Sequence, residues 1–148
     1  MKPLICNGWK ILFYPLFNQQ WIHLVEKVQQ LKTKLDKDEF VTHADVKLLK
    51  AIDMGIKQKI PQDPFASYFA LKKPLQKYGR LKKMGLPSRY RLFFRAFKEP
   101  KVIIILWLGF PRKEGDRKDC YAVFSNQVMN GEFPEDLESL IIECQAEI

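Results

Sequence analysis

The chain has 148 residues, 47% of them apolar, and a mean hydropathy of −0.25. This length and composition predict one folded domain over residues 1–148, and they argue against a disordered chain. The longest apolar run, Val102–Leu108, is too short to span a bilayer, and the first residues lack the apolar core of a secretory signal. We therefore expect a cytoplasmic protein without membrane contact.

The cysteines and histidines indicate no metal or disulfide chemistry. Three cysteines are widely spaced and form no Cys-x-x-Cys pair, which argues for reduced thiols. The two histidines have no tight cluster of acidic residues beside them. The sequence predicts neither a metal site nor a bound cofactor.

The charge is unevenly distributed along the chain. The net charge is +8, yet residues 1–118 hold all 25 lysines and arginines, and residues 119–148 hold seven acids and no base. Residues 72–118 contain 15 basic residues and three acids. Such a block attracts polyanions, of which nucleic acid is the commonest, although a solvated basic surface has the same composition.

The first half of the chain predicts one strand and two helices. Trp9–Phe13 is a short apolar strand, and Pro15–Asp36 has the three- and four-residue apolar spacing of a half-buried helix. A second helix is expected to begin at Thr42, where Thr42-x-x-Asp45 resembles a capping box, and to end before Pro61. The short polar connection predicts an antiparallel helical hairpin.

The second half predicts three strands and two further helices. The expected strands are Tyr78–Met84, Arg89–Phe97 and Val102–Leu108, whose short connections favour an antiparallel meander. A helix should run from about Arg117 to Met129, and a last one from Pro134 to about Ala146. The predicted fold is α+β in the order β-α-α-β-β-β-α-α.

Basic side chains recur at alternate positions of two predicted strands and in the loop after the third. They are Arg80 and Lys82 on the first strand, Arg91 and Arg95 on the second, and Arg112 and Lys113 in the loop. With Tyr121 on the next helix, they would form a cationic groove closed by a phenol. RNA cleavage by the neighbouring 2′-hydroxyl needs a base, positive charge on the phosphoryl oxygens and an acid for the leaving oxygen. On spacing alone, a merely binding or solvated basic face is the commoner interpretation.

A family resemblance depends on several ordered segments between Asn7 and Cys144. The segments are Asn7-Gly8-Trp9, Pro15-Leu16-Phe17, the Tyr90–Arg95 strand, the apolar strand ending in Trp107, and Asp119–Phe124. In order and spacing they resemble the YhaV toxin family, which is similar to RelE. The resemblance implies two N-terminal helices against an antiparallel sheet, with an RNA groove on the other side. It also implies an mRNA-cleaving toxin that inhibits translation, on the ribosome or off it, and a cognate antitoxin of the PrlF type with a swapped-hairpin DNA-binding domain.

The resemblance assigns roles to the strand residues. Arg80 and Lys82 match the positions that activate the 2′-hydroxyl, Arg91 would hold the scissile phosphate, and Tyr121 would orient the RNA or stack on it. Arg80 stands where lysine is usual, and a guanidinium is a poor base at neutral pH. We therefore expect Lys82 to be the base.

The resemblance also assigns roles to the loop. Arg112 would stabilise or protonate the leaving oxygen, with Lys113 or Arg117 as alternatives because this loop is longer than in RelE. The further residues expected to bind RNA are Lys83, Arg95, Lys113 and Arg117.

Two other functions remain open at this point. One is a gyrase-directed toxin of similar fold, which needs no cationic catalytic groove, and the other is a noncatalytic nucleic-acid-binding module. The preferred prediction is a metal-independent endoribonuclease that leaves a 2′,3′-cyclic phosphate and a 5′-hydroxyl.

Overall fold

The computed structural model describes residues 4–110 and 120–145. The strands in chain order are β1 (Leu4–Cys6), β2 (Trp9–Phe13), β3 (Gly79–Leu81), β4 (Arg91–Phe97) and β5 (Val102–Gly109). The α-helices are α1 (Pro15–Lys34), α2 (Lys37–Thr42), α3 (Ala44–Met54), α4 (Cys120–Met129) and α5 (Leu137–Gln145). A π-helical turn (Gly55–Lys59) continues α3, and a 3-10 turn (Ser67–Phe69) precedes β3.

The strands form one five-stranded mixed sheet in the order β1-β2-β5-β4-β3. The predicted antiparallel meander of β3, β4 and β5 is confirmed. The expectation of a wholly antiparallel sheet is wrong, because β2 pairs parallel to β5, with Lys10 opposite Val102 and Phe13 opposite Ile105. Strands that pair in parallel need a long connection, and here it runs from α1 through β4 before the chain reaches β5. Strand β1, which the sequence did not predict, pairs antiparallel with β2.

The central strand β5 is buried along its whole length, as its continuous apolar sequence predicts. A bulge interrupts its pairing with β4: Phe93 lies opposite Trp107, and the next residue, Phe94, lies opposite Ile105. Leu106 therefore has no partner on β4, and the alternation of side chains shifts by one position. As a result, Leu106 and Trp107 pack in the same hydrophobic cluster.

Each face of the sheet is covered by helices. The face against α1 and α3, called the α1 face, includes Phe17, Ile52, Leu92, Phe94 and Ile103. The face against α4 and α5, called the α4 face, includes Phe93, Ile104, Trp107, Phe124 and Leu140. Residues 91, 93 and 95 alternate with the buried Leu92 and Phe94, so the basic positions of β4 belong to the α4 face.

The N-terminal helices differ from the predicted pair. The Asp36 carboxylate accepts a hydrogen bond from the Glu39 amide at 2.8 Å and so begins the short helix α2, which the sequence did not predict. The cap of α3 is His43, whose Nδ1 accepts from the Asp45 amide at 3.1 Å. The predicted capping box at Thr42 is therefore wrong, because Thr42 is the last residue of α2.

The C-terminal helices follow the prediction more closely. Asn130-Gly131 ends α4, and Gly131 has the left-handed φ of +76° that favours glycine there. Helix α5 begins at Leu137 rather than Pro134, because the Asp136 carboxylate caps it by accepting from the Ser139 amide at 2.9 Å. None of the helices in the described residues combines the length and apolar character that a membrane span requires.

Gly79 allows β3 to pack closely against β4. A Cβ atom at this buried position would lie 2.5 Å from Cζ of Phe94, its cross-strand partner. We expect Gly79→Ala to destabilise the fold by about 1–3 kcal/mol, the usual effect of overpacking a core. A denaturant titration monitored by circular dichroism measures this, and an unchanged midpoint would contradict the close packing.

Candidate functional site

Arg80 is held in place by two hydrogen bonds. It lies on β3 opposite Phe93, so its side chain extends on the α4 face. Its Nε donates to the Tyr121 hydroxyl at 2.6 Å, and its Nη1 donates to the Tyr68 carbonyl oxygen at 2.9 Å. The guanidinium is thereby fixed between the segment before β3 and the first turn of α4.

Tyr121 stands on an aromatic layer that fixes its position. Its ring packs edge-on against Phe93, with centroids 5.9 Å apart at an interplanar angle of 87°. Phe93 stacks in turn on Phe124 at 4.2 Å and on Trp107 at 5.7 Å. Aromatic contacts of this kind stabilise a fold by more than the burial of their apolar area alone. The phenol is therefore supported by the sheet core, while half-burial leaves part of it accessible.

Arg91 contributes a second guanidinium. Its Nη1 donates to the Tyr90 carbonyl oxygen at 2.8 Å. Its Nε is buried and has no hydrogen-bond partner in the part of the chain that the structure describes. An unpartnered buried donor costs about 1–3 kcal/mol, and such groups are uncommon in native proteins. Arg80, Arg91 and Tyr121 together form what we call the cationic cluster.

The two arginines change the acidity of the phenol. Burial raises the pKa of Tyr121, but hydrogen bonding to Arg80 and Arg91 and their positive charge lower it by more. The net result is a pKa below the ordinary value of 10.0. The hydroxyl of Tyr121 therefore gives up its proton more readily than that of a free tyrosine.

A cavity of about 570 Å³ opens beside the cationic cluster. Arg80 and Tyr121 form part of its wall, together with Lys72 and Lys73. Both lysines are exposed. The sequence placed them in the basic block but not among the site residues. The segment around them has no periodic pattern, and the local excess of positive charge is the signal that could have found them.

Lys82 directly follows β3 and is half-buried. Leu81 pairs with Leu92, so Lys82 and Arg91 are the next positions along two neighbouring antiparallel strands. Lys83 is exposed and has a φ of +61° in the turn that follows. The structure thus places Lys82 near Arg91 along the sheet, with Lys83 beside it in the turn.

Arg95 lies outside the cationic cluster, although it shares the α4 face. Its guanidinium packs 4.5 Å from the ring centroid of Phe97 and 5.7 Å from that of Tyr78. It also donates to the Glu135 carbonyl oxygen. These contacts give Arg95 a structural role between β4 and the segment before α5. The other predicted residues, Arg112, Lys113 and Arg117, lie outside the described residues.

The chemistry of this site is that of an anion receptor with a proton-transfer group. Two guanidinium groups and nearby lysines supply positive charge, and a phenol of lowered pKa lies between the arginines. Within residues 4–110 and 120–145, no group of three His, Cys, Asp or Glu side chains is placed to hold a metal ion. The cationic cluster can bind an anionic oxygen and transfer a proton at the phenol.

Comparisons with known proteins identify relatives along nearly the whole chain. A family model described as "Toxin with endonuclease activity, of toxin-antitoxin system", the YhaV toxin family, matches residues 11–145. The chain is 34% identical to Toxin YhaV of Escherichia coli O6:H1 over 151 aligned residues, which cover 97% of this chain and 96% of the relative. It is also 34% identical, with the same coverage, to Ribonuclease toxin YhaV of Escherichia coli K12. No solved structure matches significantly.

Proposed function

The chain belongs to the YhaV family of toxins with endonuclease activity from toxin–antitoxin systems, and we propose that its substrate is RNA, cleaved at the cationic cluster. A relative of similar length carries the name Ribonuclease toxin YhaV, which supports RNA as the substrate. The observation that carries the assignment is the 2.6 Å hydrogen bond from Arg80 to the Tyr121 hydroxyl, with Arg91 beside it. This group combines phosphate binding with proton transfer.

The proposed reaction is internal attack by the RNA 2′-hydroxyl on the neighbouring phosphorus. Lys82 accepts the proton of the 2′-hydroxyl, and Arg91 holds the phosphoryl oxygens through its guanidinium. The bond to the 5′-oxygen breaks, and Tyr121 donates a proton to that oxygen. Arg80 and Arg91 stabilise the phenolate that remains. The products are a 2′,3′-cyclic phosphate and a 5′-hydroxyl.

Residues outside the described part of the chain complete this proposal. Arg112 would stabilise the leaving oxygen, with Lys113 or Arg117 as alternatives.

Lys83 and Arg95 remain candidates for RNA binding, although Arg95 already contacts Tyr78 and Phe97.

The biological setting follows from membership of the family. A toxin of this kind has a cognate antitoxin, and we propose that it is of the PrlF type with a swapped-hairpin DNA-binding domain. An mRNA substrate, cleaved free or on the ribosome, would place the protein in the cytoplasm. The packing of α1 and α3 on one sheet face, with the cationic cluster on the other, supports a RelE-like fold in which α2 lengthens the helical hairpin.

The direct test is cleavage of RNA by the purified protein, with and without ribosomes, followed by mapping of the ends. We expect cyclic phosphate and 5′-hydroxyl ends on naked RNA in excess EDTA, because arginines and lysines that supply the positive charge also repel divalent cations. Chelator-sensitive cleavage that Mg²⁺ or Mn²⁺ restores would contradict the mechanism. Naked RNA is the proper substrate for the EDTA arm, because chelation also disassembles ribosomes.

The salt dependence of RNA affinity tests which charges contact phosphate. A plot of the logarithm of the RNA binding constant against the logarithm of the salt concentration has a slope of about −0.7 for each phosphate of a single strand that is neutralised. Phosphate contacts from four residues, Arg80, Lys82, Arg91 and Arg112, therefore predict a slope of roughly −3. Alanine at any one of them should flatten the slope by about 0.7. Lys27→Ala is the control, because Lys27 lies on α1 and pairs with Asp45 at 3.1 Å. Equal flattening by Lys27→Ala and Arg91→Ala would indicate diffuse attraction and no defined site.

A further inference from the structure

We propose that the cavity beside the cationic cluster binds the base of the nucleotide whose phosphate Arg91 holds. This inference rests on the proposed function, because it takes RNA as the substrate. It adds a nucleobase site, formed by the segment before β3 and by α4, that would give the enzyme sequence preference.

The size and lining of the cavity suit a nucleobase. Its volume of about 570 Å³ lies within the roughly 300–1,000 Å³ of small-molecule sites. Its apolar lining includes Leu71 and Leu75 from the segment before β3 and Ala122 from α4, and Leu75 is 7% exposed. A base has two apolar faces and a polar edge, so apolar lining residues can contact its faces.

The position of the cavity connects it to the reacting phosphate. Arg80 and Tyr121 belong both to the cavity wall and to the cationic cluster. The Arg80 guanidinium is also held by the Tyr68 carbonyl oxygen at 2.9 Å, so it forms a fixed boundary between the two. A single nucleotide can therefore place its phosphate on the arginines and its base in the cavity.

Ser125 supplies a polar group that could distinguish bases. It lies one helical turn after Tyr121 on α4 and lines the cavity. A hydroxyl both donates and accepts hydrogen bonds, as recognition of a base edge requires. Lys72 and Lys73 at the exposed rim can contact the phosphate of an adjoining nucleotide.

The test compares ligands that differ only in the base. Binding of the four nucleoside 3′-monophosphates and of inorganic phosphate is measured by calorimetry on the full chain. We expect at least one nucleotide to bind the native protein about tenfold or more tightly than phosphate, the scale of one stacked base. Ala122→Trp, which fills the cavity from an exposed helix position, should remove that advantage and leave phosphate binding unchanged.

Two further variants make the result specific. Met129→Trp places the same ring on α4 at a residue that is 73% exposed, and it should bind nucleotides like the native protein. Ser125→Ala should reduce the differences in affinity among the four nucleotides. A thermal melt establishes that each variant is folded, and Ala122→Leu replaces Ala122→Trp if the tryptophan variant does not fold.

The possible failures are distinguishable. Nucleotides that bind the native protein no more tightly than phosphate, or that bind the cavity-filled variant equally well, would overturn the base site. RNA cleavage with the proposed ends would then still stand. Base-dependent nucleotide binding without any RNA cleavage would support the site and overturn the proposed function.

Discussion

Replacing Arg91 by alanine should reduce RNA cleavage by about 100- to 1,000-fold, the range seen when one preorganised transition-state donor is removed. The reason is the guanidinium of Arg91, which lies beside the Tyr121 hydroxyl and would supply positive charge to a phosphoryl oxygen. The measurement is kcat/KM on a short RNA, with growth arrest on expression as a second readout.

Controls separate loss of phosphate binding from loss of fold. Arg91→Ala should keep the native melting temperature within a few degrees, because Arg91 lies at the start of β4 and is only half-buried. Arg91→Lys should restore little activity, since an ammonium lacks the planar fork of donors. Growth arrest by Arg91→Ala at native expression levels would exclude the proposed role.

Removal of one hydroxyl, in Tyr121→Phe, should lower cleavage by about 100- to 10,000-fold if the phenol is the general acid. The variant keeps the ring that packs on Phe93 and removes no positive charge, so RNA affinity and its salt slope should not change. Single-turnover cleavage and binding measured on the same RNA test both statements. A loss of affinity without a loss of rate would instead assign Tyr121 to stacking on RNA.

The dependence of the cleavage rate on pH tests independently whether Tyr121 donates the proton. A general acid works only while protonated, so the cleavage rate should fall as pH rises through the pKa of Tyr121. Arg80→Met removes a hydrogen bond and a charge that lower this pKa, so the falling limb should move to higher pH. That limb should be absent in Tyr121→Phe. A limb that Arg80→Met leaves unmoved would mean that it belongs to another group.

The sequence predicts local structure well where one pattern dominates. The alternation of Arg91–Phe97 and the apolar run at Val102–Leu108 give β4 and β5 correctly, because buried faces determine both patterns. The parallel pairing of β2 with β5 joins segments about ninety residues apart, which no local pattern encodes. Asp36 and His43 compete with Thr42 as helix caps, and only the folded backbone decides between them.

The candidate site is predictable in part. Alternation places Arg80 and Arg91 each on the basic face of its own strand, and the structure adds that these faces coincide beside Tyr121. Arg95 has the same spacing, yet the aromatic rings beside it and the carbonyl of Glu135 engage its guanidinium. The sequence could not show this difference, because it depends on where the C-terminal segment packs. The catalytic roles themselves remain predictions.

The bulge at Leu106 has a consequence for how this chain can be compared with its relatives. Because β5 has one extra residue, side chains after the bulge face the opposite way from what the alternation before it predicts. Trp107 therefore lies in the aromatic layer beneath Tyr121 and stacks on Phe93. Deleting Leu106 would restore an unbroken alternation, with Trp107 still on the α4 face opposite Phe93 and Leu108 still on the α1 face. A relative that is one residue shorter at position 106 can therefore keep the same aromatic layer, because only the residue without a partner on β4 is missing. A single gap at position 106 in an alignment would mark a relative whose β5 lacks the bulge and still carries its aromatic residue beneath the phenol.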